Sequence, residues 1–200
     1  MIRAFLAFLL DPPVRQALGT LQKGLIGTLG VDQDRAVRVQ WVHPELMHLT
    51  VKFLGDIDPA QVPAMRAALQ PIAAGAAPTT LEWSRLGVFP DPRAPRVLWV
   101  GAAASPASEA VISLVTGIEQ ALVPLGWEAE RRPFQLHVTL ARIKEGGRAV
   151  GQALLTTGAL DRPLVSLSSR IGRLHLMQSE LRLKGPIYTP LWELDLGRSS

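Results

Sequence analysis

The tetrapeptide His48-Leu49-Thr50-Val51 recurs 89 residues later as His137-Val138-Thr139-Leu140, in a chain with only four histidines. Each copy lies in a short apolar run, Leu46 to Leu54 and Phe134 to Ile143, with the two-residue alternation of a β-strand. Residues i and i+2 of a strand share a face. Each histidine therefore projects with its threonine, while Leu49 and Val51, or Val138 and Leu140, anchor the strand from behind. Two such strands side by side gather two imidazoles and two hydroxyls around one small cavity.

That set suits displacement at a phosphodiester. With an unperturbed pKa of about 6.5, one imidazole can take a proton from the entering oxygen while the other gives one to the leaving oxygen. Threonine hydroxyls two residues on can donate to phosphoryl oxygens or fix an imidazole tautomer. The scheme needs no metal and no organic cofactor. His48, His137, Thr50 and Thr139 are thus the expected catalytic residues.

Around them, Lys52 has the strand parity of His48 and Thr50 and is expected to reach the same groove. Arg142 stands five positions after His137, where strict alternation turns it to the opposite face; it meets substrate only if the strand bulges or ends there. Phe5 and Phe134 are candidates for stacking on a nucleobase. His43, before Pro44, and His175, between Leu174 and Leu176, read as structural or exposed. No His-Glu-x-x-His, Gly-rich phosphate loop or Gly-x-Ser-x-Gly occurs, so zinc-peptidase, nucleotide-triphosphatase, dinucleotide-binding and serine-hydrolase chemistry lack local support.

Composition agrees with an anionic substrate. Seventeen of the 21 basic residues are arginine, whose planar fork fits phosphate, and the formal charge is +4. Hydrophobic content of 48% with 19% charged residues is that of a folded globular chain. The absence of cysteine excludes disulfides, thiolate metal sites and a cysteine nucleophile, and fits a reducing, cytoplasmic setting. The apolar run Ala4 to Leu10 stops at Asp11-Pro12-Pro13 without a cleavage site and reads as a buried first strand, and no run approaches the ~20 apolar residues of a membrane span.

The elements that must position these residues follow from local signals. Pro12-Pro13 opens a helix with Val14, Leu18, Leu21, Leu25 and Leu29 on one face, ending near Gly30. An extended stretch from Val37 to Val42 precedes the first His-Thr strand. Asp58-Pro59 caps a helix carrying Val62, Met65, Leu69 and Ile72, and strands follow at Leu81 to Phe89 and Arg96 to Gly101. Ser105-Pro106 starts a helix with Val111, Leu114, Ile118 and Leu122 inward. After the second His-Thr strand come a short helix at Val150 to Leu155 and strands at Val165 to Leu176, Glu180 to Ile187 and Leu191 to Leu196, with a hairpin turn at Met177 to Ser179. The reading is α+β: one bilobal domain over residues 1–200, mainly antiparallel, with internal two-fold character and helices outside.

The paired motifs and their surroundings resemble the 2H phosphoesterases, and within them the RNA 2',3'-cyclic phosphodiesterases also called 2'-5' RNA ligases. The likeness covers Arg3 to Phe8, the ELMHLTVKFLG block of Glu45 to Gly55, RVLWVG at Arg96 to Gly101, RPFQLHVTLAR at Arg132 to Arg142, and Tyr188 to Leu191. Leu46 and Leu136 depart from the asparagine and proline frequent at those places, which bears on loop shape and substrate choice. The resemblance implies a pseudo-two-fold fold with a central cleft and hydrolysis of an RNA terminal 2',3'-cyclic phosphate to a 2'-phosphate. In it His48 protonates the departing 3'-oxygen, His137 activates water, Thr50 and Thr139 hold phosphoryl oxygens, and Arg142 adds charge. Ligation through a 2'-5' linkage is a secondary capacity. The expected partners are RNA 3' ends or nucleotides with a cyclic phosphate, the protein acting as a monomer. Two other readings are a nucleotide-binding module without turnover and a 2H phosphodiesterase acting on cyclic nucleotides, ADP-ribose cyclic phosphate or 2'-5' oligoadenylate.

Overall fold

In the computed structural model, the residues described are 1–31, 34–164, 167–182 and 185–197. They form nine β-strands in one sheet and four α-helices. The strands are β1 (Ile2–Leu9), β2 (Arg38–Trp41), β3 (His48–Ile57), β4 (Thr79–Phe89), β5 (Val97–Ala102), β6 (His137–Glu145), β7 (Leu167–Ile171), β8 (Arg173–Arg182) and β9 (Gly185–Asp195). The helices are α1 (Pro12–Leu29), α2 (Val62–Gly75), α3 (Pro106–Leu122) and α4 (Gly147–Thr157). The sheet order is β7-β4-β5-β6-β3-β1-β8-β9, with β2 pairing β6 from the side, and every pairing is antiparallel.

Helix ends follow the sequence signals. Pro12 and Pro13 fill the first turn of α1, where the missing N–H costs nothing, and Gly30 closes it in the left-handed region at φ 61°. The Asp58 carboxylate accepts from the Ala60 N–H at the turn leading into α2. At α3 the Ser105 hydroxyl accepts from the Ser108 N–H while the Ser108 hydroxyl accepts from the Ser105 N–H. By length and mean hydropathy alone, residues 106–125 would suffice to cross a membrane, although the segment carries Glu109 and Glu119. Val111, Val115, Ile118 and Leu122 instead form one buried stripe, the pattern of a core helix.

All four helices cover one face of the sheet. Leu18, Leu69, Ile118 and Leu154 from the helices join Leu6, Phe8, Leu49, Leu98 and Val138 from the strands in a single apolar cluster. The helix-free face carries its own small cluster of Phe5, Ala7, Met177 and Tyr188.

The C-terminal third differs from the expected elements. Gly172 separates β7 from β8, and Met177 to Ser179 lie inside β8 rather than in a hairpin turn. Arg182, the last residue of β8, pairs with Gly185, the first of β9. Residues 165 and 166, where the first of these strands was expected to begin, lie outside the described residues. β9 continues through Pro190 at the edge of the sheet, with a register irregularity against β8 between Trp192 and Pro190, the edge and bulge positions where proline is tolerated.

Around β3 and β6 the sheet has an approximate two-fold relation. β1 flanks β3 as β5 flanks β6: Ala7 pairs with Thr50 and Leu9 with His48, as Trp99 pairs with Thr139 and Gly101 with His137. β8 lies outside β1 as β4 lies outside β5.

Candidate active site

The two halves meet where β3 pairs with β6 through Leu49 and Val138. Extending that antiparallel register by one residue either way sets His48 opposite Thr139 and Thr50 opposite His137. Leu49 and Val138 are fully buried toward the helices, so the four polar side chains stand together on the other face. Residues 89 apart in sequence are thus collected by a single point of strand pairing.

Both imidazoles are held alike. His48 Nδ1 lies 2.7 Å from the Leu46 carbonyl oxygen and His137 Nδ1 lies 2.8 Å from that of Gln135. A carbonyl can only accept, so Nδ1 carries the proton and Nε2 is left as the lone-pair nitrogen. Each ring also rests on aromatic neighbours. Phe5 and Tyr188 lie 4.9 and 5.4 Å from His48, and Phe89 and Trp99 lie 5.1 and 6.1 Å from His137. Burial lowers the pKa of both histidines most strongly; the carbonyl contacts oppose it, and the Arg142 charge lowers both further. In the free protein near neutral pH both rings are therefore neutral bases.

Arg142 acts on both histidines because β6 bulges. Leu98 pairs with Ala141 and Trp99 with Thr139, leaving Leu140 as an extra residue. Leu140 and Ala141 are consecutive buried residues, and the alternation resumes with Arg142 exposed on the histidine face. The condition under which the sequence would bring Arg142 to substrate is thus met by the backbone. Gln22 of α1 braces the bulge. This buried side chain, 5% exposed, donates from Nε2 to the carbonyls of Leu140 and Val42, each at 2.8 Å.

The same irregularity on β3 overturns the expectation for Lys52. Ala7 pairs with Thr50 and Leu6 with Lys52, so Val51 is the extra residue and Lys52 turns to the helix side with Leu6. There its ammonium, 9% exposed, forms an ion pair with Glu119 of α3 and donates to the Glu128 carbonyl at 2.8 Å. It is a brace between β3 and α3, not a groove residue. Phe134 is corrected as well: it lies before β6 and packs partly buried against the main core. Phe5 is on the histidine face but only 3% exposed, so its ring supports His48 instead of offering a free surface. His43 is exposed, and His175 is buried with Nε2 3.6 Å from a Glu193 carboxylate oxygen.

Several residues of this face escaped the sequence reading. Phe53 is the two-fold counterpart of Arg142 and is 66% exposed beside Phe5. Tyr188 is the only tyrosine in the chain, which was the available signal, and its hydroxyl pKa is raised by burial. Phe89 and Trp99 were legible only as strand residues. Among the described residues no three His, Cys, Asp or Glu side chains gather as a metal-binding group. Hollows of about 720 and 600 Å³ lie elsewhere, one between α2 and α3 and one beside His175. The paired motifs stand on the open sheet face.

Known proteins match the chain along nearly its whole length. The chain is 30% identical to an RNA 2',3'-cyclic phosphodiesterase of Aquifex aeolicus over 198 residues, 98% of each chain. It is 31% identical to one of Methanothermobacter thermautotrophicus over 190 residues, 95% of this chain and 96% of the relative. A crystal structure of a Thermus thermophilus protein matches with a TM-score of 0.70 at 29% identity, covering 98% of both chains. The fold is also that of E. coli LigT complexed with 3'-AMP, with a TM-score of 0.76 at 22% identity over 98% of this chain and 99% of that one. The family described as LigT like Phosphoesterase matches residues 10–99 and 102–188, a span that takes in both His-x-Thr-x strands and the seam joining them, and the chain belongs to that family.

Proposed function

We propose that this protein hydrolyses the 2',3'-cyclic phosphate at RNA 3' ends to a 2'-phosphate by acid-base catalysis between His48 and His137. The observation that carries the reading is the seam: Leu49 opposite Val138 assembles two imidazoles, each with Nδ1 protonated against a carbonyl, and two threonine hydroxyls on one face. The names of the relatives from Aquifex and Methanothermobacter support the substrate class.

In this reading Nε2 of His137 takes a proton from water as its oxygen bonds to phosphorus. The bond from phosphorus to the 3'-oxygen breaks, and Nε2 of His48 gives that oxygen a proton. One histidine must therefore be protonated before turnover. The anionic cyclic phosphate favours this, offsetting the burial and the Arg142 charge that keep both rings neutral in the free protein. Thr50, Thr139 and Arg142 donate to the non-bridging oxygens, where charge is held in the transition state. Phe53, exposed at the rim, offers the terminal base a stacking surface.

The test is incubation with an oligoribonucleotide ending in a 2',3'-cyclic phosphate, in the presence of a chelator, with the product phosphate position determined. A 2'-phosphate and 3'-hydroxyl are expected. His48→Gln and His137→Gln should each slow turnover about 10²- to 10⁴-fold while remaining folded. Retention of full rate by either variant refutes the mechanism.

A further inference from the structure

The two-fold relation about the seam places Arg85 and Arg173 at equivalent positions, and their surroundings differ. On one side the row across the histidine face runs His137, Gly101, Arg85, each paired with the next. On the other, Leu9 pairs with His48, and continuing the β1–β8 register by one residue brings Arg173 beside Leu9. Arg173 is neutralised: its Nε lies 2.7 Å from Asp195 and its Nη1 3.0 Å from Glu193. Between it and His48 stands the Leu9 side chain.

Arg85 lacks these counter-charges. It is exposed and makes no ion pair among the described residues. Between it and His137 lies Gly101, and the Trp99 ring covers that glycine. Its guanidinium sits 5.7 Å from the centroid of the Trp99 ring, and that ring in turn touches His137. Gly87 and Gly101 are the floor this requires, because a Cβ on either would overlap the Trp99 ring. A guanidinium resting on an indole is held in orientation while its edge N–H groups stay free for an anion.

We propose that Arg85 is a second phosphate subsite, taking the internucleotide phosphodiester that precedes the terminal cyclic phosphate. The inference rests on the cyclic phosphodiesterase reading and deepens it. Arg85 stands two strand spacings, about 10 Å, from the His137 strand, on a path its long side chain shortens. The asymmetry between the two arginines then gives the RNA one direction across an otherwise two-fold face: the chain leaves over β5 and β4, not over β1 and β8.

The experiment compares three substrates: a nucleoside 2',3'-cyclic phosphate, a dinucleotide with the same end, and that dinucleotide with an uncharged methylphosphonate linkage. Arg85→Met should lower kcat/KM for the charged dinucleotide roughly tenfold, the scale of one charge-assisted hydrogen bond. It should leave the mononucleoside and methylphosphonate substrates unchanged. In the unsubstituted protein the methylphosphonate should suffer the same loss. Arg173→Met should have no effect specific to the linkage. Calorimetric binding of the matching 2'-phosphate products reads the subsite without turnover, so failure of the catalytic reading and failure of this one are distinguishable. Equal loss on all three substrates, no dependence on linkage charge, or a linkage effect carried by Arg173 overturns the proposal.

Discussion

Val51 and Leu140 occupy the same place in the two motifs, three residues after the histidine, and each is the extra residue of a β-bulge. This shared irregularity decides which neighbours of the motif face the chemistry. Without it, the fifth residue of each run, Lys52 or Ala141, would project beside the histidine, and the sixth, Phe53 or Arg142, would be buried under the helices. With it, Lys52 and Ala141 point into the helix layer while Phe53 and Arg142 come to the open face. One half of the site thereby receives a cation and the other an aromatic ring.

Arg142 lowers the pKa of both histidines, so its removal should be visible in the pH dependence as well as in the rate. Arg142→Gln is expected to reduce kcat/KM by about ten- to a hundredfold through loss of a charge-assisted contact to phosphate. The acidic limb of the pH–kcat/KM profile, a macroscopic property of the pair, should move to higher pH, because the histidines no longer feel a neighbouring positive charge. A profile unchanged in position would separate Arg142 from the histidines.

Lys52 should behave as a structural residue. Lys52→Ala removes the partner of Glu119, whose carboxylate is 12% exposed and also accepts from the Glu130 N–H. Leaving that charge buried should cost about 3–5 kcal/mol in denaturant unfolding, while KM of the folded protein stays as it was. Raised KM without lost stability would restore Lys52 to the groove.

The contrast between Lys52 and Arg142 shows where sequence reading stops. Period-two alternation located both His-x-Thr-x strands and put His48 with Thr50, and His137 with Thr139, because each pair lies ahead of its bulge. Helix α1 was legible from Pro12 to Gly30, since proline and left-handed glycine act locally. A bulge is set instead by the neighbouring strands and by Gln22, which is 118 residues from Leu140 and has no local signature. Phe89, Trp99 and Tyr188 join the site for a similar reason: sheet order brings them to the histidines, and sheet order is not written in any one segment.

Gln22 is then a positioning residue for Arg142. Gln22→Leu fills a similar volume but withdraws a donor shared by the Val42 carbonyl and the Leu140 carbonyl, which keeps the Val42 N–H, and about 1–3 kcal/mol of stability should be lost. If the side chain acts by holding the Leu140 bulge, its effect on kcat/KM should largely vanish in an Arg142→Gln background, giving a non-additive double-mutant cycle. A general loosening of the fold would instead add to the loss from Arg142.

The depressed histidines also link stability to pH. His48, His137 and His175 all have pKa values below 6.5 in the folded protein, with burial as the main cause. The unfolded chain binds protons at about pH 6.5 while the native state does not, so the native state is progressively disfavoured as pH falls through that value. The stabilising contribution is complete above about pH 7.5 and declines toward pH 5.5, a window in which carboxylates contribute little. Denaturation midpoints measured across it should fall with acidity, and His48→Gln should reduce the slope by up to one proton. A stability that holds constant or rises on acidification would contradict neutral, buried imidazoles, and with them the need for the anionic phosphate to favour proton uptake from solvent by one histidine.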